Sequence, residues 1–485
     1  MFPNKRFWLG VGLIVFLGAI LRVFRLGNGV LSGDEAVTAI RSFWVSRGLL
    51  TQTLVHFYGL IVSPRPPGDI ISLVPAITFG LNEASARTFG VVVSLISIVA
   101  AICALKNVLP LRQGLLVSLL LAVSPICVGW SRLATADSLE IAGMILLLVT
   151  AIRFLIKPDD KQLLALSIVY GFCLWVMETF LVLGPFLAGL VLINYKKGLT
   201  SLIKSSLVFS FIVGVVWVPR FIGGLFVPGS LGTNYQLSGV HFPDIVANSQ
   251  YYLQTYFLYF PVLIPTIIVL IGLLVKKVRT DKVYQVSLGM FASLVTFFVF
   301  VYWKHQAYLG SASIPLLMGA ARACFLMFPK KTATMILVVF ASYLLFTTGG
   351  YLLAGESKEI AVWGFRKPSE IAKAAYLVRK CTSKESKIIS DIDGYATSLY
   401  FDRKYFGEQD KIGLAMTLKN FASAAGAVYL QKYVSGVDYG NKTPIKFSDG
   451  SVLYIFSCQY EPSMVTAEKF YKEFLQTPNA ISFYR

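Results

Sequence analysis

Two adjacent acids, Asp34 and Glu35, stand in the segment LSGDEAVTAI, just after the first long apolar run of the chain. Carboxylates are scarce in this region, since residues 1–355 contain only eleven Asp or Glu. Adjacent carboxylates shift each other's pKa, and such a pair can supply a general base together with a group that orients it or binds a metal. A helix cap is the simpler interpretation, but it would need only one short polar residue, Ser32 or Asp34. The pair therefore predicts a catalytic role.

Basic side chains elsewhere could bind an anionic leaving group such as a phosphate. Arg65 stands beside prolines in SPRPPGD, where a rigid extended backbone would fix its guanidinium, and Arg87 begins an apolar run. The simpler interpretation of each is an arginine anchored at a membrane interface. His305 stands with Lys304 and Tyr308 near the start of another apolar run, as a surface histidine or as part of a phosphate-binding mouth.

Asp137, in SRLATADSLE, is the third kind of candidate. It follows Arg132 closely and could either cap the next helix or join the same site. None of the three histidines has the spacing of a metal motif, and the chain has no phosphate-binding glycine loop of the nucleotide-binding kinds. The sequence thus predicts a site in which carboxylates act as base or ligand and guanidiniums bind an anionic leaving group.

The composition indicates that a membrane positions these groups. The 485-residue chain is 56% hydrophobic and 14% charged, with a mean hydropathy of +0.68, whereas soluble domains carry about 25% charged residues. A net charge of +19 would suggest nucleic acid as the partner of a soluble protein. Here many Lys and Arg stand in short segments between apolar runs, as the positive-inside rule requires, so nucleic-acid binding is not expected.

Eleven apolar segments approach the length of about 20 residues that a helix needs to cross a bilayer. With the N-terminus in the cytoplasm, every second loop is rich in Lys and Arg, and the first span stays uncleaved, with Arg22 and Arg25 reaching the far interface. The predicted spans are 7–26, 88–105, 113–130, 138–156, 162–177, 179–195, 205–221, 252–275, 283–302, 308–328 and 332–354.

The segment PPGDIISLVPAITFGL, residues 66–81, is apolar but short and is broken by Pro75. Counting it as a span would invert every later loop, so we expect an interfacial or re-entrant helix within one long outer loop, residues 27–87. Acids from distant parts of the chain then fall on one face, which predicts a shared site. These outer acids are Asp34, Glu35, Asp69, Glu83, Asp137, Glu140, Glu178 and Asp244.

Residues 356–485 contain no span and alternate helix-like segments such as KPSEIAKAAYLVRKC with strand-like ones such as KIISDI and SVLYIFS. This alternation predicts a small α/β domain. The predicted fold class is a polytopic α-helical membrane domain, residues 1–355, followed by an extracytoplasmic α/β domain, residues 356–485. Outside the cytoplasm Cys381 and Cys458 could form a disulfide, with two free thiols as the alternative.

The order of these motifs resembles the GT-C superfamily of membrane glycosyltransferases that use lipid-linked sugars. The nearest branch contains protein O-mannosyltransferases and the aminoarabinose transferases of lipid A. Two positions depart from that branch: many relatives have Lys at the position of Arg65 and Lys near Glu178, where the exchange reverses a charge. The matching elements are Asp34-Glu35; Arg65-Pro66-Pro67; Gly80, Glu83, Ala86 and Arg87; Ser124, Pro125, Arg132, Ala134 and Asp137; Tyr308; and the segment AAYLVRKC…KIISDIDGYATSLYFDRKY.

The resemblance implies a GT-C fold that moves a monosaccharide from a polyprenyl- or dolichyl-phosphate donor to a hydroxyl of a protein, lipid or glycan at the outer face. It implies Asp34 as the base and Glu35 as the group that orients the acceptor or holds a metal. Arg132, Asp137 and Glu178 are further site candidates, and a divalent ion would bind at Glu35 and Asp137. The residues implied to bind the donor phosphate are Arg65, Arg87, Arg220, Lys304, His305 and Tyr308.

Two other classes of protein remain compatible with the hydropathy. A transporter or flippase also lines its pathway with charged side chains, but such proteins usually lack a long first outer loop with an acid pair and a terminal α/β domain. A scaffold protein that recruits cell-wall partners is the third class. Formation of a sugar-bearing product without vectorial uptake would identify a transferase. The expected location is the plasma membrane or the endoplasmic reticulum.

Overall fold

A computed structural model gives the structure of the chain, which divides into two compact units. The first unit comprises Met1–Leu26, Trp44–Leu73 and Arg87–Phe365. The second comprises Gly27–Phe43, Val74–Ala86 and Arg366–Arg485, so that parts of the predicted outer loop belong to the same unit as the C-terminal region. The structure describes residues 5–29, 31, 33–46, 67–68, 83–106, 108–196, 198–226, 242–300, 309–355, 369–383, 385–390, 400–401, 404–405, 425–430, 444–456, 458 and 463–475.

Helices make up most of the described chain, with one 3₁₀ helix at Glu178–Leu183. Before the 3₁₀ helix they are α1 (Lys5–Val23), α2 (Gly33–Ser46), α3 (Glu83–Leu105), α4 (Leu111–Val123), α5 (Pro125–Ser131), α6 (Asp137–Ile156) and α7 (Asp160–Val176). After it they are α8 (Gly184–Asn194), α9 (Leu199–Phe226), α10 (Phe242–Leu258), α11 (Phe260–Leu274), α12 (Lys276–Arg279), α13 (Lys282–Phe300), α14 (Leu309–Met327), α15 (Lys330–Ala354), α16 (Ile371–Cys381) and α17 (Met464–Leu475).

Helices occupy all eleven segments predicted as spans, but they differ in length. Within the described residues, six are long and apolar enough to cross a membrane: α3, α6, the Leu199–Arg220 part of α9, α13, α14 and α15. The pair α4 and α5, bent by 59°, would make a seventh, while α1, α11 and the Glu178–Asn194 stretch are apolar but shorter. The count of eleven membrane-spanning helices stays a prediction. The helix predicted at 66–81 lies outside the described residues, apart from Pro67 and Gly68.

Local sequence explains where several of these helices begin and bend. The bend between α4 and α5 falls at Ser124, whose extended backbone is the conformation preferred by a residue that precedes a proline. Two acids of the predicted inner side serve as helix caps. Asp159 accepts a hydrogen bond from the Gln162 N–H at 2.9 Å at the start of α7, and Asp281 accepts from the N–H groups of Val283 and Tyr284 at 3.1 Å.

The core of the first unit lies around α6 and α14. Of their most apolar 18-residue windows, 67% and 83% is buried within the protein, against 11% for α9. A helix that buries most of its surface is central in a bundle, whereas an apolar helix that stays exposed presents its side chains to lipid. Helices α6 and α14 therefore form the frame on which the polar groups of this unit are held.

The C-terminal part of the second unit contains a five-stranded mixed sheet in the order β2-β1-β3-β5-β4. Strand β1 runs parallel to β2 and β3, and β5 runs antiparallel to β3 and β4. A disulfide joins Cys381, the last residue of α16, to Cys458, three residues after β5, with a Cα–Cα distance of 4.4 Å. The strands are β1 (Lys387–Ser390), β2 (Lys404–Tyr405), β3 (Ala425–Leu430), β4 (Ile445–Lys446) and β5 (Val452–Ile455).

Candidate active site

In the second unit the acid pair occupies the first turn of α2. A helix N-terminus presents free N–H groups and a partial positive charge, which both favour carboxylates. Glu35 is fully buried. For Asp34 the structure describes only the backbone. Arg41 is also fully buried and lies seven residues after position 34, on the same face of the helix, although the sequence did not predict it as a site residue. An arginine within an otherwise apolar helical segment was the signal that could have found it.

Tyr400 connects both ends of the outer loop within the same unit. Its hydroxyl accepts a hydrogen bond from the Leu31 N–H at 3.0 Å and donates one to Glu83 Oε1 at 2.8 Å. The Arg379 guanidinium donates to the Tyr400 carbonyl at 2.5 Å, and the tyrosine side chain is buried. Leu31 stands three residues before Asp34, and Glu83 begins α3.

In the first unit, arginines gather around the C-terminal end of α1. Arg132 donates to the carbonyls of Arg22 and Phe24 at 2.8 Å, and Arg87 donates to the carbonyl of Leu26 at 3.1 Å. The last carbonyls of a helix lack partners within the helix and carry a partial negative charge, so guanidiniums stabilise this end. Burial lowers the pKa of Arg132 to about 10, assisted by the charges of Arg87 and Arg22. Arg132 therefore remains a cation at neutral pH.

Arg22, which the sequence predicts to extend to the far interface, packs between helices in the structure. Its side chain is buried, and it donates to Ser94 Oγ at 2.9 Å and to the Ala122 carbonyl at 2.8 Å. A buried guanidinium needs several acceptors, and α1, α3 and α4 supply them here. Hydropathy does not distinguish an arginine that extends to the surface from one that packs between helices, because the acceptors come from distant parts of the chain.

Glu178 and Arg220 form an ion pair, with 3.2 Å between Glu178 Oε1 and Arg220 Nη2. The guanidinium carbon of Arg220 also lies 4.8 Å from the centroid of the Trp217 ring, within the range of a cation–π contact. Arg220 is buried and Glu178 is partly exposed. The structure therefore brings together two of the predicted site residues that lie 42 positions apart.

Glu140 is the centre of a second polar group in the first unit. Its buried carboxylate accepts a hydrogen bond from Thr179 Oγ1 at 2.5 Å and another from Ser311 Oγ. It thus joins α6 to the 3₁₀ helix and to α14. Asp137, one turn before Glu140, accepts a hydrogen bond from Thr135 Oγ1. The sequence put Glu140 on the outer face but gave it no role.

Three glycines allow close approach of the motif segments in the first unit. A Cβ on Gly68, next to the Arg65-Pro66-Pro67 motif, would lie 2.7 Å from backbone atoms of Val176. A Cβ on Gly90 would lie 2.9 Å from the Ser131 carbonyl, and one on Gly310 would lie 2.5 Å from the Trp130 ring. These glycines allow the backbone at Gly68 to lie against the end of α7, α3 against the turn after α5, and α14 against α5.

The remaining predicted residues are not placed. Arg65, Lys304, His305 and Tyr308 lie outside the described residues. For a metal, the described part of the chain offers no group of three or more His, Cys, Asp or Glu that could hold an ion. The pair Glu35 and Asp137 consequently stays a prediction from the sequence.

A segment of the sequence and the fold of this chain are both similar to those of known proteins. Residues 68–222 match the sequence family described as dolichyl-phosphate-mannose-protein mannosyltransferase. Among solved structures, ArnT from Cupriavidus metallidurans in the apo state aligns over 92% of this chain and 97% of its own, with a TM-score of 0.57 and 12% identity. The form bound to undecaprenyl phosphate aligns over 93% and 98%, with a TM-score of 0.57 and 13% identity.

The chain has the GT-C fold. The archaeal oligosaccharyltransferase AglB from Archaeoglobus fulgidus, in complex with an inhibitory peptide and a dolichol-phosphate, aligns over 88% of this chain and 69% of its own, with a TM-score of 0.52 and 10% identity. No curated protein sequence matches the chain. The resemblance to GT-C glycosyltransferases is confirmed by the family match over residues 68–222 and by the shared fold. The predicted enzyme class agrees with the family that this segment matches.

The matched family segment covers only some of the candidate residues. It contains Arg87, Arg132, Asp137, Glu178 and Arg220 but ends well before the segment with Lys304, and it starts after Arg65. The acid pair also precedes it. The roles of the individual side chains are therefore inferred from their chemistry and their positions in the fold.

Proposed function

We propose that the chain transfers a monosaccharide from a polyprenyl- or dolichyl-phosphate donor to a hydroxyl of a protein, lipid or glycan at the outer face of a membrane. The observation that carries the proposal is the position of the acid pair, at the N-terminus of a helix in a chain with the GT-C fold. A relative of this fold is solved with undecaprenyl phosphate and another with a dolichol-phosphate, which supports a lipid phosphate as part of the donor.

Asp34 acts as the general base in this proposal. The acceptor hydroxyl attacks C1 of the sugar, its proton passes to the Asp34 carboxylate, and the bond between C1 and the phosphate oxygen breaks. The products are the glycosylated acceptor and the lipid phosphate, which leaves with the electron pair of the broken bond. Glu35, as the buried neighbour at the helix N-terminus, orients the acceptor.

Cations stabilise the negative charge that develops on the leaving phosphate. Arg87 and Arg220 are the described candidates for this role, and Arg65, Lys304, His305 and Tyr308 are proposed with them from the sequence. Both described arginines are buried, which strengthens their interaction with an anion relative to that in water. Arg132 supports the same region by holding the end of α1.

No step of the proposed transfer passes through a metal. A divalent ion at Glu35 and Asp137 is proposed from the sequence alone, and the Asp137 carboxylate already accepts a hydrogen bond from Thr135. Chelation by EDTA followed by return of Mg²⁺ or Mn²⁺ tests this part of the proposal separately.

We propose further that residues 356–485 lie outside the cytoplasm and that the N-terminus lies inside it. Two observations support this orientation. The predicted inner loops carry most of the Lys and Arg between spans, and the Cys381–Cys458 disulfide suits an oxidising compartment. The plasma membrane, or the endoplasmic reticulum in a eukaryotic cell, fits both.

Transfer of labelled sugar in proteoliposomes tests the proposal. The purified full-length chain would receive synthetic polyprenyl-phosphate hexoses and pentoses, and a membrane extract of cell-surface protein and glycan as acceptor. Asp34→Asn is expected to lower transfer by at least about a hundredfold. Glu385→Gln removes an exposed carboxylate of the same unit and serves as the control.

The outcome that contradicts the base assignment is full transfer by Asp34→Asn. Movement of the intact donor across the membrane without a sugar-bearing product would instead favour the flippase class. A mass shift of a surface protein or glycan on deleting this chain from cells would then identify the natural acceptor.

A further inference from the structure

The hydroxyl of Tyr400 joins three segments that are far apart in sequence. It accepts from the Leu31 N–H at 3.0 Å and donates to Glu83 Oε1 at 2.8 Å, across separations of 369 and 317 residues. All three residues belong to the second unit, as does the acid pair. A residue of the sheet region thus contacts the chain three residues before Asp34.

The surroundings of Tyr400 hold its hydroxyl in place. The side chain is 1% exposed, and Phe401, next in the chain, packs against Tyr429 of β3 with ring centroids 5.4 Å apart. The Arg379 guanidinium of α16 donates to the Tyr400 carbonyl and lies over the Tyr376 ring, 5.4 Å from its centroid. Contacts from α16 and from β3 therefore hold the backbone at this tyrosine and its neighbour.

The contact with Glu83 has the chemistry of a strong hydrogen bond. A phenol that donates to a carboxylate forms a charge-assisted bond, which is stronger than one between neutral groups. The same hydroxyl satisfies the backbone N–H of Leu31, a residue that is 2% exposed. Without the hydroxyl, both a buried N–H and a carboxylate oxygen would lose this partner.

We propose that Tyr400 is a positioning residue of the transfer reaction and that its hydroxyl fixes the start of α2, and with it Asp34, relative to Glu83. This inference rests on the proposed function. The C-terminal region, which carries Tyr400, is then a part of the catalytic machinery. A base displaced by about 1 Å can lose about a hundredfold in rate, so a single hydrogen bond at this place has a large kinetic effect.

Tyr400→Phe in the full-length chain is the test, because it removes only the hydroxyl. In the proteoliposome assay we expect kcat to fall by about ten- to a hundredfold, while the KM for the lipid-phosphate donor changes by less than about twofold. Hydrogen–deuterium exchange should become faster in peptides that span Leu31–Ser46 and stay unchanged in peptides of β3 and β5. Tyr454→Phe removes a buried tyrosine hydroxyl of β5 and serves as the matched control.

Glu83→Gln is the second test of the positioning role, because the amide oxygen of glutamine can still accept the hydrogen bond but carries no charge. We expect a smaller loss of kcat than in Tyr400→Phe, and a double variant no slower than Tyr400→Phe alone. A wild-type kcat together with unchanged exchange of Leu31–Ser46 in Tyr400→Phe would overturn the positioning role. The proposed function would still stand in that case if Asp34→Asn lost transfer. An equal loss of kcat in Tyr454→Phe would also overturn the positioning role, as a general effect of weakening the sheet.

Discussion

Glu178 and Arg220 form an ion pair in which the cation is almost fully buried and the anion is not: their side chains are 22% and 3% exposed, respectively, and the charged atoms lie 3.2 Å apart. At the position near Glu178 the family resemblance leads one to expect a lysine. The chain has a carboxylate there with a counter-ion on α9, and the ring of Trp217 lies against that counter-ion. The reversed charge is therefore part of a local arrangement rather than an isolated exchange.

Glu178→Lys is expected to lower transfer at least about tenfold and to lower the thermal stability in detergent. The reason is that a second cation would stand beside a buried guanidinium, whose charge would lose its partner. Glu178→Gln should cost less, because the amide can still accept a hydrogen bond. In the double variant Glu178→Lys, Arg220→Glu the pair is restored with opposite polarity, and stability should return by about 0.5–3 kcal/mol relative to Glu178→Lys. If the loss of stability in the double variant equals the sum of the losses in the two single variants, the two side chains are not coupled.

Gly68→Ala should impair both folding and transfer. A Cβ at this position would lie 2.7 Å from Val176 Cα and from the Val176 carbonyl oxygen, and backbone atoms of a helix cannot move aside as a flexible side chain can. We expect a loss of about 1–3 kcal/mol in stability, as for overpacked sites in general. Because Gly68 directly follows Arg65-Pro66-Pro67 in the sequence, the KM for the lipid-phosphate donor should rise.

Gly349→Ala in α15 is the matched control for that substitution. Apart from the neighbouring residues and the backbone of the helix itself, no atom lies within 4 Å of a Cβ at this position, and alanine is favoured over glycine within a helix. The control should be as stable as the wild type or slightly more stable. Equal behaviour of the two variants in thermal melts would mean that Val176 and Gly68 do not pack as described.

The sequence predicted the helices well because a lipid environment demands long apolar helical segments, and the charge pattern of the loops follows from the same physics. Asp159 and Asp281 were predicted to lie on the inner side, apart from the other acids, and the structure shows them as caps. The partners of the polar groups were not predictable in this way. Glu140 meets Thr179 and Ser311, which stand 39 and 171 residues further along the chain, so only the packing of three helices brings them together.

The same limit applies to the arginines and to the second unit. Arg22 finds its acceptors on α3 and α4, and a pattern of apolar residues says nothing of those acceptors. Tyr400 looks in sequence like one more aromatic residue of a sheet domain. Its contacts with Leu31 and Glu83 depend on the folding of Gly27–Phe43 and Val74–Ala86 with Arg366–Arg485 into one compact unit.

Glu140→Ala is expected to destabilise the first unit by about 1–3 kcal/mol. Two hydroxyl donors, Thr179 Oγ1 and Ser311 Oγ, would lose a buried acceptor, and a buried polar group without a partner carries the cost of its desolvation. Adding Thr179→Val and Ser311→Ala to Glu140→Ala should recover part of that loss, because the orphaned donors are removed. A triple variant less stable than Glu140→Ala would contradict this account.

The disulfide gives a prediction about the second unit and its compartment. Replacing Cys381 and Cys458 by serine should lower the stability of the sheet region by about 2–4 kcal/mol, since the bridge closes a long loop of the unfolded chain, with a sequence separation of 77. Dithiothreitol should lower the melting temperature of the wild type and leave that of the double variant unchanged. Cys103→Ser, which replaces a free thiol, is the control and should respond to dithiothreitol as the wild type does.

Labelling of thiols in intact cells extends the same test to the orientation of the chain. With the proposed topology, Cys381 and Cys458 should resist a membrane-impermeant maleimide until the cells are treated with a reductant, and should then be labelled from outside. Labelling of these two thiols only after the membrane is opened would place the sheet region on the cytoplasmic side and contradict the proposed orientation.

Arg322 and Asp281 should matter for stability and leave the rate of transfer unchanged. Arg322 donates from Nε and Nη2 to the two carboxylate oxygens of Asp281 at 3.0 and 2.6 Å, and from Nη1 to Gln113 Oε1 at 2.9 Å. It thereby joins α14, the start of α13 and α4. Arg322→Ala is expected to lower the free energy of unfolding by about 1–3 kcal/mol, the usual cost of hydrogen bonds to charged groups.

Lys157→Ala is the comparison that isolates the effect of burial. Lys157 pairs with Asp159 at 3.3 Å, but its side chain is 79% exposed, and exposed ion pairs contribute about 0–1 kcal/mol. The melting temperature of Lys157→Ala should therefore stay close to that of the wild type, while Arg322→Ala melts several degrees lower. Because Arg322 stands three turns along α14 from Ser311, the kcat per folded molecule should be unaffected. A reduced kcat in Arg322→Ala at a temperature where it is fully folded would show that this end of α14 is coupled to the reacting groups.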